Sequence, residues 1–156
     1  MNELAQQISN ALKTGGSRES ILEQVVRMTL KDFNSETGTI HRLDAEKQLL
    51  QLVAQAGLPP HMLEIVKTIP VGKGIAGETV AKNRPVTICN LQTDNSGVAK
   101  PGAKQTGVGG ALCVPIQVSG KIVGAFGIGT MREHEYSAAE INRLLDVSKL
   151  IGKQLA

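Results

Sequence analysis

The chain has 156 residues, 41% hydrophobic and 20% charged, which is the balance of a folded domain and a length that gives one domain, residues 1–156, with no room for a second catalytic unit. Seventeen Lys and Arg against 14 Asp and Glu leave a net charge of +3 spread without a basic run, and Phe33, Phe126 and Tyr136 are the only aromatics, so nucleic acid is not an expected partner. No stretch is long and apolar enough for a membrane span, and Met1 is followed by Asn2, Glu3 and Gln6 rather than by a signal sequence, so a membrane is not expected as a partner either and a reduced cytoplasm is the expected setting.

Leu4, Ile8, Ala11 and Leu12 recur at helical spacing ahead of Gly15-Gly16, which predicts a first short helix within residues 1–16. Ser17 caps a second helix, with Ile21, Val25 and Met28 on one stripe and Leu22, Val26, Thr29 and Phe33 on the next. An apolar arc that wide needs two neighbours, one the domain's sheet and the other the first helix or a second subunit. Residues 38–43 and 49–56 read as paired strands, with Leu50, Leu52, Ala54 and Ala56 alternating. After Pro59-Pro60 a helical stretch covers residues 61–67 and runs on toward Ile69-Pro70. A glycine-rich segment, residues 70–77, then opens a helix that Pro85 ends. A short strand over residues 86–89 leads into a 21-residue polar loop, residues 90–110, whose length marks a lid or binding loop. Strands over residues 111–118 and 121–130 meet at the tight turn Ser119-Gly120. Ser137 and Glu140 form a capping box for a last helix, with Ile141, Leu144, Leu145, Ser148, Ile151 and Leu155 on one face.

Gly72-Lys73-Gly74-Ile75-Ala76-Gly77 matches G-x-G-x-x-G, but no buried parallel strand precedes it and no βαβ rhythm comes after it, so it is no dinucleotide fingerprint. It remains a helix start whose free N–H groups suit an anion or a carbonyl, with a plain tight turn as the alternative. Lys73, Lys82, Arg84, Lys100 and Lys104 outnumber Glu78 and Asp94 in this region, which is the pattern of a solvated loop and also suits a small anionic ligand. Cys89 and Cys113 have no C-x-x-C partner and sit in apolar surroundings, the setting of small buried hydrophobes. His41, His61 and His134 show neither metal-ligand spacing nor a triad partner. No metal site and no catalytic residue are expected.

Three segments together resemble the GAF domain family. Ile69-Pro70-Val71-Gly72-Lys73-Gly74-Ile75-Ala76-Gly77, followed by Asn83-Arg84-Pro85-Val86, is similar to the family's helix opening and re-entry into the sheet. Leu112-Cys113-Val114-Pro115-Ile116 with Gly120 and Ile122-Val123-Gly124 is similar to its penultimate hairpin, and Tyr136-Ser137 to its closing segment. The resemblance implies an α+β, PAS-like fold, a three-layer α/β/α sandwich around a central antiparallel sheet of five to six strands. The terminal helices lie on one face, and the short helices and long loop roof a pocket on the other. Alternation agrees: Leu112, Val114, Ile116, Phe126 and Ile128 give a bulky face, and Ala111, Cys113, Ala125, Gly127 and Gly129 a small one.

On this reading the pocket is walled by Ile40 and roofed by Ile75, Ala76 and Gly77. Val98, Thr106 and Val108 of the lid close it, and Ala111, Cys113, Gly127 and Gly129 form its floor. In the family's free methionine-(R)-sulfoxide reductases, cysteines follow the glycine pair and occupy the lid, and two acids stand on the last strand. Here Ala76 takes the first position, residues 90–110 contain no cysteine, and Gly127 and Gly129 stand where the acids would be. The cyclic-nucleotide pattern is absent, and Cys113 is followed by Val114 rather than the histidine of bilin carriers, so neither haem nor covalent bilin is expected. The resemblance thus implies a sensory domain without catalytic activity. It would bind a small-molecule ligand, a small anionic metabolite or a nucleotide, and would work as a homodimer through its terminal helices or through a signalling partner. The alternatives are a thiol-dependent redox protein using Cys89 and Cys113, and a dimerisation module that binds nothing.

Overall fold

The computed structural model describes residues 2–89 and 109–156. Helix α1 (Glu3–Lys13) starts at Asn2, whose side chain accepts from the Ala5 N–H, and α2 (Arg18–Asp32) at Ser17, whose hydroxyl accepts from Ser20. Strands β1 (Thr37–Asp44) and β2 (Leu49–Ala56) form a hairpin. The short helix α3 (Pro60–Val66), strand β3 (Thr68–Pro70), helix α4 (Gly74–Lys82) and strand β4 (Val86–Ile88) come next. Strands β5 (Ala111–Val118) and β6 (Lys121–Gly129) and helix α5 (Ala138–Ile151) complete the chain. Ser137 and Glu140 make the reciprocal capping box at the start of α5. Ser119 and Gly120 both have positive φ, as a two-residue hairpin turn requires. Among the described residues no helix is long and apolar enough to cross a membrane.

The six strands form one sheet in the order β3-β2-β1-β6-β5-β4, antiparallel at every pairing, which is an α+β architecture and leaves no parallel βαβ unit. Period-2 alternation gives the sheet two different faces. Leu112, Val114, Ile116, Phe126 and Ile128 pack with Leu22, Val26, Leu144 and Ile151 from α2 and α5, in a core that also takes Leu4 and Ile8 of α1. The opposite face carries a smaller cluster, Leu50, Cys113 and Ala125 beneath Val80 of α4. Both stripes of α2 are buried within the chain, and the second neighbour of its arc is α1, so the arc needs no second subunit to cover it.

Three local readings are corrected. Residues 68–70 are not the end of a helix but strand β3, pairing Leu50 with Ile69. Three residues are too few for alternation to register, and the edge position tolerates Pro70. In β2 the register against β1 shifts between Ile40 and His41. That bulge inserts Val53 and reverses the facing of the residues beyond it: Leu50 joins the α4-side cluster, whereas Ala54 and Ala56 join the core under α2. Finally, Gly109 and Gly110 are not free loop, because Gly109 N–H donates to Thr130 O (2.6 Å) and Thr130 N–H to Gly110 O (2.9 Å).

Candidate functional site

The small-residue face of β5 and β6 has no long helix against it. Between it and α3, β3 and the start of α4 lies a cavity of about 450 Å³. Its floor comes from alternate residues of three strands: Thr37, Thr39 and His41 of β1, Ala111 and Cys113 of β5, and Gly127 and Gly129 of β6. Register places them side by side, Thr37 opposite Gly129, Thr39 opposite Gly127, and Cys113 opposite Gly127. Because Gly127 has no side chain, the floor sinks to backbone level there. Met62, Ile65 and Val66 of α3 form one wall, and Ile69, Ile75 and Ala76 another.

The α4 wall is set by hydrogen bonds within the glycine-rich turn, Gly72 N–H to Gly77 O (2.9 Å), Lys73 N–H to Pro70 O (3.1 Å) and Gly77 N–H to Lys73 O (3.1 Å). A Cβ at Gly77 would meet the Pro70 carbonyl at 2.5 Å, so only glycine lets α4 start this close to β3. The N–H groups of Gly74, Ile75 and Ala76 have no intrahelical carbonyl to bond, and no side chain caps this helix. Lys73 stands exposed beside them at the rim and is the one permanently charged residue among the described lining residues. The local basic excess does not gather here: Lys82 pairs with Glu78 at 2.8 Å, and Lys100 and Lys104 lie outside the described residues.

Of the expected pocket residues, Ile75, Ala76, Ala111, Cys113, Gly127 and Gly129 line the cavity. Ile40 does not: it is fully buried in the core under α2, opposite Phe126, because in β1 the cavity-facing phase belongs to its neighbours Thr39 and His41. Gly77 packs behind the wall against Pro70 and Gly72. Val98, Thr106 and Val108, with the rest of the loop to residue 108, lie outside the described residues. Sequence reasoning missed His41, Met62 and Ile69. Cross-strand phase with Gly127 and Gly129 was the available signal for His41.

His41 is 1% exposed. Its Nε2 lies 2.8 Å from the Val66 carbonyl, which can only accept, so Nε2 carries the proton and the ring tethers the end of α3 to β1. Nδ1 is buried with no partner, and burial holds the ring's pKa below its usual value. The two thiols differ. Cys113 is buried, which pushes its pKa up to about 12. Cys89 is exposed, and desolvation together with the carboxylates of Glu133 and Glu135 raises its pKa, with Glu133 Oε1 3.6 Å from its sulfur. Both environments oppose the thiolate that attack requires. Cys113 lies opposite Val86, and Cys89 is three residues farther on, an offset of about 10 Å along the strand at ~3.3 Å per residue. Disulfide formation needs Cα atoms within about 7 Å, so the two cannot bridge in this fold. Among the described residues no cluster of His, Cys, Asp and Glu could hold a metal ion.

A family model described as GAF domain matches residues 16–153. The chain belongs to the GAF domain family. Solved structures similar to this GAF domain include that of the GAF domain from an Acinetobacter phosphoenolpyruvate-protein phosphotransferase, at 17% identity and TM-score 0.83 over 98% of this chain and 90% of that one. A free methionine-R-sulfoxide reductase from Neisseria meningitidis, solved with its substrate, is similar at 16% identity and TM-score 0.80, over 98% and 86%. The corresponding Staphylococcus aureus reductase, also with substrate, is similar at 22% and 0.76, over 98% and 94%. A search of curated proteins returned no match.

Proposed function

We propose that this GAF domain is a ligand-binding regulatory unit without catalytic activity, and that its ligand is a small aliphatic anion seated in the cavity between the sheet and α3–α4. The observation that carries the reading is the composition of the wall: aliphatic side chains and glycine backbone, with Lys73 and the uncapped N–H groups of α4 at one end. A helix N-terminus and a lysine attract negative charge. Phe33, Phe126 and Tyr136 all lie in the core on the other face, which leaves a nucleotide base only the buried His41 ring among the described lining residues and favours an aliphatic acid over a nucleotide.

Similarity to the sulfoxide reductases is the basis of the redox alternative, and three positions speak against it. Ala76, Gly127 and Gly129 stand where those enzymes carry a cysteine and acids, and all three line the cavity. Binding would reach the long helices through β5 and β6, because the floor residues Cys113 and Gly127 alternate with Leu112, Val114, Phe126 and Ile128 in the core beneath α2 and α5. A thermal-shift series of straight and branched carboxylates against the matching alcohols and amines tests the reading. Acids are expected to raise the midpoint, with loss of the effect in Lys73→Glu; stabilisation by amines or by none of them would overturn it. Sulfoxide turnover that disappears in Cys89→Ser or Cys113→Ser would establish the alternative.

A further inference from the structure

We infer that Thr39 sets which aliphatic acids the cavity accepts: its hydroxyl bonds a second polar group on the ligand, so the favoured class is an acid with a hydroxyl on its body rather than a plain alkyl chain. The inference rests on the binding reading above and makes it more specific. Among the described lining residues Thr37, Thr39 and Thr68 carry a hydroxyl. Thr68 is exposed on the edge strand β3, and Thr37 is buried at the start of β1. Thr39 is half-buried and stands opposite Gly127, where the floor has no side chain. Its Oγ1 lies 3.4 Å from the point a Cβ on Gly127 would occupy, with Cys113 Sγ 3.7 Å from the same point. The oxygen is thus on the cavity side of the sheet, at the rim of the glycine hollow. No described residue hydrogen-bonds this hydroxyl. At this position β1 is paired on both sides, to Gln55 of β2 and Gly127 of β6, and a β-branched side chain has little χ1 freedom. The hydroxyl is therefore a fixed polar point in a lining made mainly of aliphatic side chains and glycine.

Being partly accessible, this hydroxyl is hydrated in the unliganded protein. A ligand lying along the floor displaces that water, and it loses affinity unless it replaces the hydrogen bond. A plain alkyl acid leaves the hydroxyl unpaired beneath it. A ligand hydroxyl restores the bond in either direction, because a threonine hydroxyl both donates and accepts. Apolar pockets fix the orientation of their ligands through a few such polar points. With its carboxylate at Lys73 and the start of α4 and its hydroxyl at Thr39, the ligand is held at two points.

The test uses the whole chain and hexanoate with its 2-, 3- and 6-hydroxy derivatives as probes, which move the hydroxyl along one body. Calorimetric titration of the wild type is expected to show a hydroxy acid binding at least about fivefold tighter than hexanoate. Thr39→Val keeps the shape and removes the hydroxyl. In that variant the preference should fall to near unity while hexanoate binds at least as tightly as before, which mere disruption of the floor would not produce. Thr39→Ser should keep the preference. Carbon-13 spectra of the wild type need no variant to fold, and there the Thr39 Cβ and methyl signals should move further with the preferred hydroxy acid than with hexanoate. Equal affinity for all the acids, a preference that survives Thr39→Val, or one lost equally in Thr39→Ser would overturn the inference and leave the binding reading standing. Absence of binding by every acid would overturn both.

Discussion

Lowering the pH should destabilise this domain through one residue, His41. Burial holds the ring's native pKa below its ordinary value, about 6.5 in the unfolded chain. Below that pH the unfolded chain takes up a proton that the folded one refuses. The contribution to stability is therefore complete above about pH 6.5 and is lost as the pH falls toward the depressed native value. Each unit by which burial lowers the native value is worth about 1.4 kcal/mol once the pH has fallen through it. For a chain of this length 1 kcal/mol corresponds to roughly 2–4 °C in Tm. The assay is thermal unfolding of wild type and His41→Gln between about pH 7.5 and pH 5, since glutamine keeps a donor for the Val66 carbonyl and cannot titrate. The other ionisable groups are common to both chains and cancel. Wild type is expected to lose the extra few degrees; parallel curves, or a native His41 that titrates near its ordinary value by NMR, would refute the argument.

Other substitutions test the walls. In Gly127→Ala the new Cβ comes no closer than 3.4 Å to Thr39 and 3.7 Å to Cys113. Stability should thus change by less than about 1 kcal/mol, while calorimetry shows weaker binding of whichever acid the wild type takes up. Gly77→Ala drives a Cβ into the Pro70 carbonyl at 2.5 Å and should cost about 2 kcal/mol or more in urea unfolding, with the α4 wall displaced. Iodoacetamide followed by mass spectrometry should label exposed Cys89 in the native protein and reach Cys113 only on unfolding. Mild oxidant should give no intramolecular disulfide, and a bridge between these two residues would contradict the register of β4 on β5.

Much of this fold could be read from the sequence because local chemistry and tertiary packing agree. Ser137 and Glu140 mark a helix start by themselves. The bulky and small positions of β5 and β6 separate into two faces since those strands are long and regular. Reading failed where one residue changed the phase. The bulge at Val53 placed Leu50 and Ala54 on opposite faces of β2 although they alternate in sequence. In β1 the apolar Ile40 looked like the wall residue, but its partner across the ladder is Phe126, so it belongs to the core and His41 to the cavity. A histidine between Ile40 and Arg42 carries no sign that one of its nitrogens is committed to a carbonyl 25 residues away. That information exists only once α3 has folded over β1. The small floor residues were legible for the opposite reason: glycine and alanine at alternate positions of a strand leave space whatever covers them.

The most direct test of the account is an amide-resolved NMR titration with hexanoate and its hydroxy derivatives. Saturable shifts at Gly74, Ile75 and Ala76 and at Cys113, Gly127 and Gly129, weakened together by Lys73→Glu, are the predicted result. No saturable shift at these amides up to about 10 mM, a Kd weaker than roughly −2.7 kcal/mol of binding, or shifts confined to the helical face of the sheet, would contradict the claim that this cavity binds a small aliphatic anion.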